Sequence, residues 1–214
     1  ANIQEVENDY QRYLAIAAAC RACQKKRPRG IFTFTGKKSW DERRDLKLSF
    51  QEQFANAVRL YNDAVFDNGK RHEAHWRDIM TFEEKNFDLV YLDPPYWSPL
   101  SDNDYVRRYH FIEGYSCYWK DLTIDMNTRA RKFKSYQSVF SERESATRAL
   151  EQLFQRYSDS IIALSYSSNG YPTKSELFSM LESVKRKVEV FEADYRYSFG
   201  NPRHKIGNTK NRVR

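Results

Sequence analysis

The stretch that decides the fold is Phe87-Asp88-Leu89-Val90-Tyr91-Leu92-Asp93-Pro94-Pro95-Tyr96. An apolar run of this length that stops at turn residues predicts a buried strand over residues 87–93. Proline cannot donate to a sheet ladder, so the strand ends at Asp93. Beyond its end stand the Asp93 carboxylate, the freed carbonyl of Pro94 and the ring of Tyr96. Ligands of open α/β sheets bind at this end of the strands, and the cluster suits a flat substrate that carries an amine.

Helices and strands alternate on both sides of this stretch. We expect helices over residues 4–24, 49–62, 105–118, 141–157 and 173–187, with capping boxes at Ser49–Glu52, Ser141–Glu144 and Thr173–Glu176. Further strands are expected near residues 72–76, 160–167 and 188–197. Strand, helix and strand follow one another at parallel-sheet spacing over residues 70–197. The pattern therefore predicts an α/β fold, an open sheet with helices on its faces.

The composition allows one domain with a real core and room for an appended lobe: 214 residues, 40% of them hydrophobic and 15% aromatic. A net charge of +7 together with many aromatic residues makes the protein a candidate nucleic-acid binder. A soluble protein with a basic surface explains the charge equally well. No apolar run reaches the roughly 18 residues of a membrane span, and no signal peptide is visible. A membrane partner is therefore not expected.

Three cysteines indicate a reducing compartment rather than a disulfide framework. Cys20 and Cys23 have metal-ligand spacing, but no second pair closes a zinc site, and their Ala-rich helical surroundings favour core packing. The four histidines form no pair with a third ligand. We expect no metal.

An adenine placed against the Asp93 cluster would find the partners that its amine needs. The amine lone pair is delocalised into the ring, so the nitrogen is a poor nucleophile. Asp93 can accept one N–H and the Pro94 carbonyl the other, which favours a more tetrahedral nitrogen and stabilises the charge that develops during attack. Tyr96 can stack on the base. A base reaches such a pocket only by leaving the duplex stack.

Asp93-Pro94-Pro95-Tyr96 resembles the catalytic motif of S-adenosylmethionine-dependent DNA adenine-N6 methyltransferases, and the similarity is closest to the D12, or Dam-like, class. Flanking features add to it: the acidic turn 77–79, the polar loop and aromatic-rich helix 101–119, the strand end 164–169 and the basic loop 203–208. The resemblance covers roughly residues 50–214. It implies a Rossmann-like methyltransferase sheet with helices on both faces, S-adenosylmethionine as cofactor, double-stranded DNA as partner and a cytoplasmic protein of a prokaryote or phage.

The resemblance also implies residue roles. The expected catalytic residues are Asp93, Pro94, Pro95 and Tyr96. The cofactor would be contacted by Asp78, Ile79 and Asp93, although an aspartate in a turn is equally expected to form the turn itself. The pocket for the flipped base would be lined by Trp97, Ser98, Tyr105 and Tyr109. Aromatic side chains on a helix are also typical of core packing.

Basic stretches interleaved with aromatic residues predict contacts with DNA phosphates. The residues expected to make them are Lys37, Lys38, Arg131, Lys132, Lys134, Arg203 and Lys205; a solvated charged face is the alternative for each stretch. We therefore expect a helix and basic DNA-recognition segment over residues 1–48. The partial catalytic domain would follow over 49–214, with a DNA-contacting insertion at 120–140.

One departure from the family bears on the cofactor. These enzymes hold it with an aromatic-x-Gly-x-Gly motif after the first strand, and none of the seven glycines here makes that pattern. In the usual motif order this part would precede residue 1, so the sheet is expected to be incomplete at its N-terminus. The alternatives that stay open are a non-catalytic DNA-binding specificity module or one half of a split methyltransferase, and an amino-methyltransferase acting on cytosine N4 or RNA. Asp93 favours adenine, and a paired restriction endonuclease is a further expected partner.

Overall fold

The computed structural model describes residues 2–27, 32, 44–99 and 104–193. Its helices are α1 (Asp9–Lys25), α2 (Arg44–Lys47), α3 (Phe50–Ala64), α4 (Tyr105–Ser116), α5 (Arg143–Arg156) and α6 (Lys174–Glu182). Its strands are β1 (Leu89–Leu92) and β2 (Ile161–Leu164), and short 3-10 helices span Ile3–Glu5 and Val139–Ser141. In this part of the chain, no helix combines the length and hydropathy of a membrane span.

The described residues divide into two compact units. Among the described residues, the first contains those up to His72 and residues 105–136, and the second contains residues 73–104 and 137–193. The boundary at residue 48 stays a prediction; in the described residues α3 packs against α1 and lies with it in the first unit.

The first unit is helical. Small side chains at Ala18, Ala19 and Ala22 form the buried face of α1, which contacts α3 and α4. Helices approach closely where the contact side chains are small. Ser49 and Glu52 form the predicted capping box of α3. Two orphan N–H groups are satisfied there, so α3 begins where the sequence indicates.

The core of the second unit is built on α5. Its buried side chains include Leu150, Leu153 and Phe154, at helical spacing, and they cluster with Leu92 of β1 and Leu177 of α6. Burying such a side chain stabilises the fold by about 1.5–3 kcal/mol. The cluster therefore fixes β1 and α6 against one face of α5.

The sheet of the second unit is parallel, with Leu89 paired to Ile161 and Leu92 to Leu164. Alternate residues of a strand point to opposite faces, and only one face is covered: Leu92 is buried, whereas Leu89 is 56% and Tyr91 62% exposed. The expectation of fully buried strands was therefore wrong for the described residues. The structure agrees with an α/β fold containing a parallel sheet; the described part of that sheet has two strands.

Three further expectations were wrong. Residues 72–76 and 188–193 form no strand, because neither segment has a ladder partner in the described part. A cavity of about 800 Å³ separates β2 from the segment 187–193. The predicted capping box at Ser141 is also absent: α5 has no side-chain cap, since the Ser141 hydroxyl instead accepts the N–H of Ser138 at 3.1 Å.

Candidate active site

Two loops leave the sheet at the same edge. Because β1 and β2 run parallel and in register, Asp93 and Ser165 both follow at their carboxyl ends. The Ser165 N–H donates to the Leu92 carbonyl at 2.9 Å and continues the ladder by one step. Residues 93–97 and 165–172 therefore meet beyond the sheet, where open α/β folds bind ligands.

The Asp93 turn combines an exposed carboxylate with a fixed backbone. Asp93 is exposed, Pro94, Pro95 and Tyr96 are half-buried, and Ser98 is buried. The two proline rings hold φ near −65° and add no N–H donor. A ligand can thus reach the Asp93 carboxylate, while the prolines keep the backbone of the turn from shifting.

An antiparallel bridge ties the turn to the loop after β2. The Tyr171 N–H donates to the Trp97 carbonyl at 2.8 Å, and the two rings meet edge to face with centroids 5.6 Å apart. The Arg143 guanidinium lies 4.2 Å from the centre of the Tyr171 ring. The Trp97 ring also packs against the core cluster. Trp97 therefore joins the turn both to the loop after β2 and to the core cluster.

Tyr96 has two neighbours that its motif did not reveal. Its ring meets the Tyr166 ring at a centroid distance of 5.6 Å and an angle of 62°. Gly170 is so close that an added Cβ would lie 3.0 Å from the Cβ of Tyr96. The run from Leu164 to Asn169 drew attention to this loop, but a steric need for glycine at 170 has no local sequence signal.

The acidic turn is hydrogen-bonded to α5 and packs against the same core. The Asp78 carboxylate accepts the Met80 N–H at 2.9 Å, as in an Asx turn. Arg156 of α5 donates to the carbonyls of Ile79 at 2.6 Å, Met80 at 2.7 Å and Phe82 at 2.9 Å. Asp78 thus forms the turn, and its assignment to the cofactor stays a prediction.

The candidates on α4 belong to the first unit. The rings of Tyr105 and Tyr109 stack, with centroids 6.1 Å apart and planes 27° from parallel, and Tyr105 is exposed. Behind them His110 is buried, and its Nε2 lies 3.2 Å from the Ala130 carbonyl oxygen. The two tyrosine rings form a stacked pair. His110 connects α4 to the segment that contains Ala130.

The basic candidates at 131–134 lie on a bridged loop. Ile124 and Phe133 form an antiparallel bridge, and the Asp125 N–H donates to the Lys132 carbonyl at 2.8 Å. Arg131 and Lys134 are exposed, whereas Lys132 is half-buried and donates to Ser135 at 3.0 Å. The remaining basic candidates lie outside the described residues: Lys37, Lys38, Arg203 and Lys205.

The described residues provide only part of a binding site for S-adenosylmethionine. The exposed Asp93 carboxylate and the turn at Asp78 remain its predicted contacts. No glycine cradle exists in the sequence, and within the described part β1 has no partner on its outer edge. The same part of the chain contains no cluster of His, Cys, Asp or Glu that could hold a metal ion.

Comparison of sequences shows which known proteins resemble this chain. The chain is 28% identical over 229 aligned positions to the Type II methyltransferase M2.HphI of Haemophilus parahaemolyticus, which covers 98% of this chain and 63% of the relative. It is 26% identical to the modification methylase StsI of Streptococcus sanguinis, over 74% of this chain and 22% of the relative. The Type II methyltransferase M.FokI of Planomicrobium okeanokoites is also 26% identical, over 74% of this chain and 23% of the relative.

The chain is therefore a homologue of Type II methyltransferases, and the predicted resemblance to DNA methyltransferases is confirmed. Enzymes of this type take their methyl group from S-adenosylmethionine. The chain spans less than two thirds of the first relative and under a quarter of the other two. No family model matches the chain, and no solved structure matches it.

Proposed function

We propose that this chain carries the amine-binding half of the active site of a DNA methyltransferase that modifies the N6 amine of adenine in duplex DNA. The observation that carries the proposal is the Asp93 turn. An exposed carboxylate, a rigid proline pair and an aromatic ring follow β1 at the edge where the loop after β2 also emerges. The kinship with Type II methyltransferases supports the reaction class.

In the proposed mechanism, this chain binds and polarises the amine. The Asp93 carboxylate accepts one N–H and the Pro94 carbonyl the other. The nitrogen then becomes more tetrahedral, and its lone pair is less delocalised into the ring. S-adenosylmethionine, when bound, supplies an electrophilic methyl group. Both acceptors stand ready before the reaction, and such fixed dipoles stabilise developing positive charge with little reorganisation.

Tyr96 receives the base. Adenine inside a duplex cannot reach Asp93, so the nucleotide rotates out of the stack and its face lies against the Tyr96 ring. Stacking of a base on an aromatic side chain contributes about 1–3 kcal/mol, which offsets part of the cost of flipping. Trp97 and Ser98 support the turn from behind.

DNA is held by basic and aromatic side chains elsewhere in the chain. Exposed Arg131 and Lys134 on the bridged loop would contact phosphates, and the stacked rings of Tyr105 and Tyr109 would also contact the DNA. Each phosphate contact lowers the logarithm of the binding constant by about 0.9 per tenfold rise in salt. Since one relative is named a modification methylase, a paired endonuclease is a proposed partner.

Asp93 provides the test of the reaction. Labelled S-adenosylmethionine, plasmid DNA and the full-length protein are incubated, and the product nucleosides are separated. We expect N6-methyladenine from the wild type and loss of more than 90% of the rate in Asp93→Ala, which corresponds to a barrier increase above about 1.4 kcal/mol. DNA binding by Asp93→Ala should stay within about threefold of the wild type, because exposed side chains elsewhere hold the phosphates.

Two results would contradict the proposal. If the product is N4-methylcytosine, the site acts on the N4 amine of cytosine and not on the N6 amine of adenine. Retention of more than a tenth of the rate by Asp93→Ala would remove the carboxylate from the mechanism.

A second candidate function follows from the absent glycine motif and from the edge of β1 that no described strand covers. The chain would then be a DNA-binding part that acquires activity only with a partner polypeptide. Photocrosslinking of labelled S-adenosylmethionine to the 214-residue chain distinguishes the two. Crosslinking to the chain alone favours the first proposal, and crosslinking only after addition of a second polypeptide favours this one.

A further inference from the structure

Tyr166 contacts the ring that the proposed function assigns to the substrate base. The two tyrosine rings meet at 62° with their centroids 5.6 Å apart, an edge-to-face arrangement that aromatic pairs favour. Tyr166 follows β2, and Tyr96 follows β1. The contact therefore joins the two loops that leave the sheet at one edge.

Tyr166 is itself held in place. Its hydroxyl donates to the Tyr171 carbonyl at 2.5 Å, and Tyr171 is bridged to Trp97 on the other side of the Asp93 turn. Burial, reinforced by the neighbouring Tyr96 and Glu176, raises the pKa of the Tyr166 hydroxyl above its ordinary value. The hydroxyl stays protonated and remains a donor throughout the physiological range.

Gly170 lies next to both tyrosine side chains. A Cβ at this position would lie 2.8 Å from Cε1 of Tyr166, 3.0 Å from Cβ of Tyr96 and 3.2 Å from the Ser167 carbonyl oxygen. The first distance is shorter than real Cβ contacts, so either the Tyr166 ring or the backbone would shift. Because residue 170 has no side chain, the side chains of both tyrosines can pack beside it.

We propose that Tyr166 is a positioning residue. Its ring packs next to Gly170 and against the Tyr96 ring, and so fixes the plane of the Tyr96 ring for stacking on the target base. The inference rests on the proposed function for its substrate, and on the contacts above for its geometry. Tyr166 itself touches neither base nor cofactor. It acts by keeping Tyr96 in one orientation.

The first measurement reports the orientation without DNA. A 3-fluorotyrosine is placed at position 96 of the full-length protein, and its fluorine resonance is recorded. We expect one sharp line in the wild type and in Tyr166→Phe, which keeps the ring edge. In Tyr166→Ala the line should shift or broaden. Gly170→Ala should also move it, because the added Cβ presses on the Tyr166 ring and meets the Cβ of Tyr96.

The second measurement reports the consequence for catalysis. An edge-to-face contact corresponds to a factor of roughly three to ten in rate, so kcat of Tyr166→Ala should fall by that factor while KM for S-adenosylmethionine stays unchanged. Tyr166→Phe should restore kcat to within about twofold of the wild type. If Tyr166→Ala does not fold, Tyr166→Leu takes its place, because it fills more of the space than alanine and has no aromatic edge.

The outcomes separate this inference from the proposed function. An unchanged fluorine line in Tyr166→Ala and Tyr166→Leu overturns the positioning role whatever the enzyme does. Equal loss of kcat in Tyr166→Phe and Tyr166→Ala overturns it too, since the hydroxyl would then be the active group. A wild type that methylates no DNA, yet shows the expected fluorine shifts, overturns the proposed function and the base-stacking half of the inference while supporting the ring contact.

Discussion

Arg156 is the side chain whose loss should affect both stability and cofactor affinity. It extends from the last turn of α5 and donates to the carbonyls of Ile79, Met80 and Phe82. No other hydrogen bond seen in the described residues joins this turn to α5. Arg156→Met keeps most of the apolar stem and removes all three bonds at once.

The expected cost follows from those three bonds. A hydrogen bond to a charged group contributes about 1.5–3 kcal/mol, but the three share one guanidinium and water replaces part of each when it is gone. We therefore expect Arg156→Met to lower the free energy of unfolding by about 2–4 kcal/mol. Arg156→Lys should recover less than half, because an ammonium group cannot span three carbonyls as a planar fork does.

Urea unfolding followed by circular dichroism measures the change. Arg148 lies on the same helix and is exposed, so Arg148→Met is the matched control and should change the unfolding free energy by less than about 0.5 kcal/mol. If the turn at Asp78 holds the cofactor, KM for S-adenosylmethionine should rise in Arg156→Met with little change in kcat. Equal stability of the two methionine variants would refute the role given to Arg156.

Two further predictions concern ionisable groups. The Thr173 backbone N–H and hydroxyl lower the pKa of Glu176 below its usual 4.5, so its contribution is complete above that value and is lost as pH falls. Stability should therefore drop between about pH 5 and pH 3 more steeply in the wild type than in Glu176→Gln; parallel curves would contradict this. Burial, reinforced by Cys23, raises the pKa of Cys20 to about 11, whereas Cys117 is exposed. Iodoacetamide at pH 8 should alkylate Cys117 well before Cys20, as followed by mass spectrometry, and equal rates would refute the burial of Cys20.

Local signals in the sequence predicted local structure well. The capping boxes at Ser49 and Thr173 form as expected, because each needs only residues within one helical turn. The Asp93 motif ends its strand for an equally local reason, the missing N–H of proline. The box at Ser141 failed since Ser138, three residues earlier, uses the same hydroxyl. A local pattern cannot tell which of two overlapping turns takes a shared group.

Properties that depend on tertiary partners could not be derived in the same way. The apolar character of Leu89 and Tyr91 predicted burial, yet the described residues cover only one face of the sheet. Gly170 matters because an added Cβ would meet the Tyr166 ring of its own loop and the Cβ of Tyr96, which follows a different strand. Likewise, the bonds of Arg156 reach back to a turn that precedes β1.

Among the described residues, no strand pairs with the side of β2 opposite β1, and this bears on self-association. An unpaired strand edge invites addition of a strand from another molecule, and native proteins deter this with charges along the edge. Ion pairs flank the cavity beside β2: Lys187 with Glu189 at 2.6 Å, and Lys174 with Glu192. A strand from another molecule that entered the cavity would have to desolvate these charged side chains, so they oppose self-association.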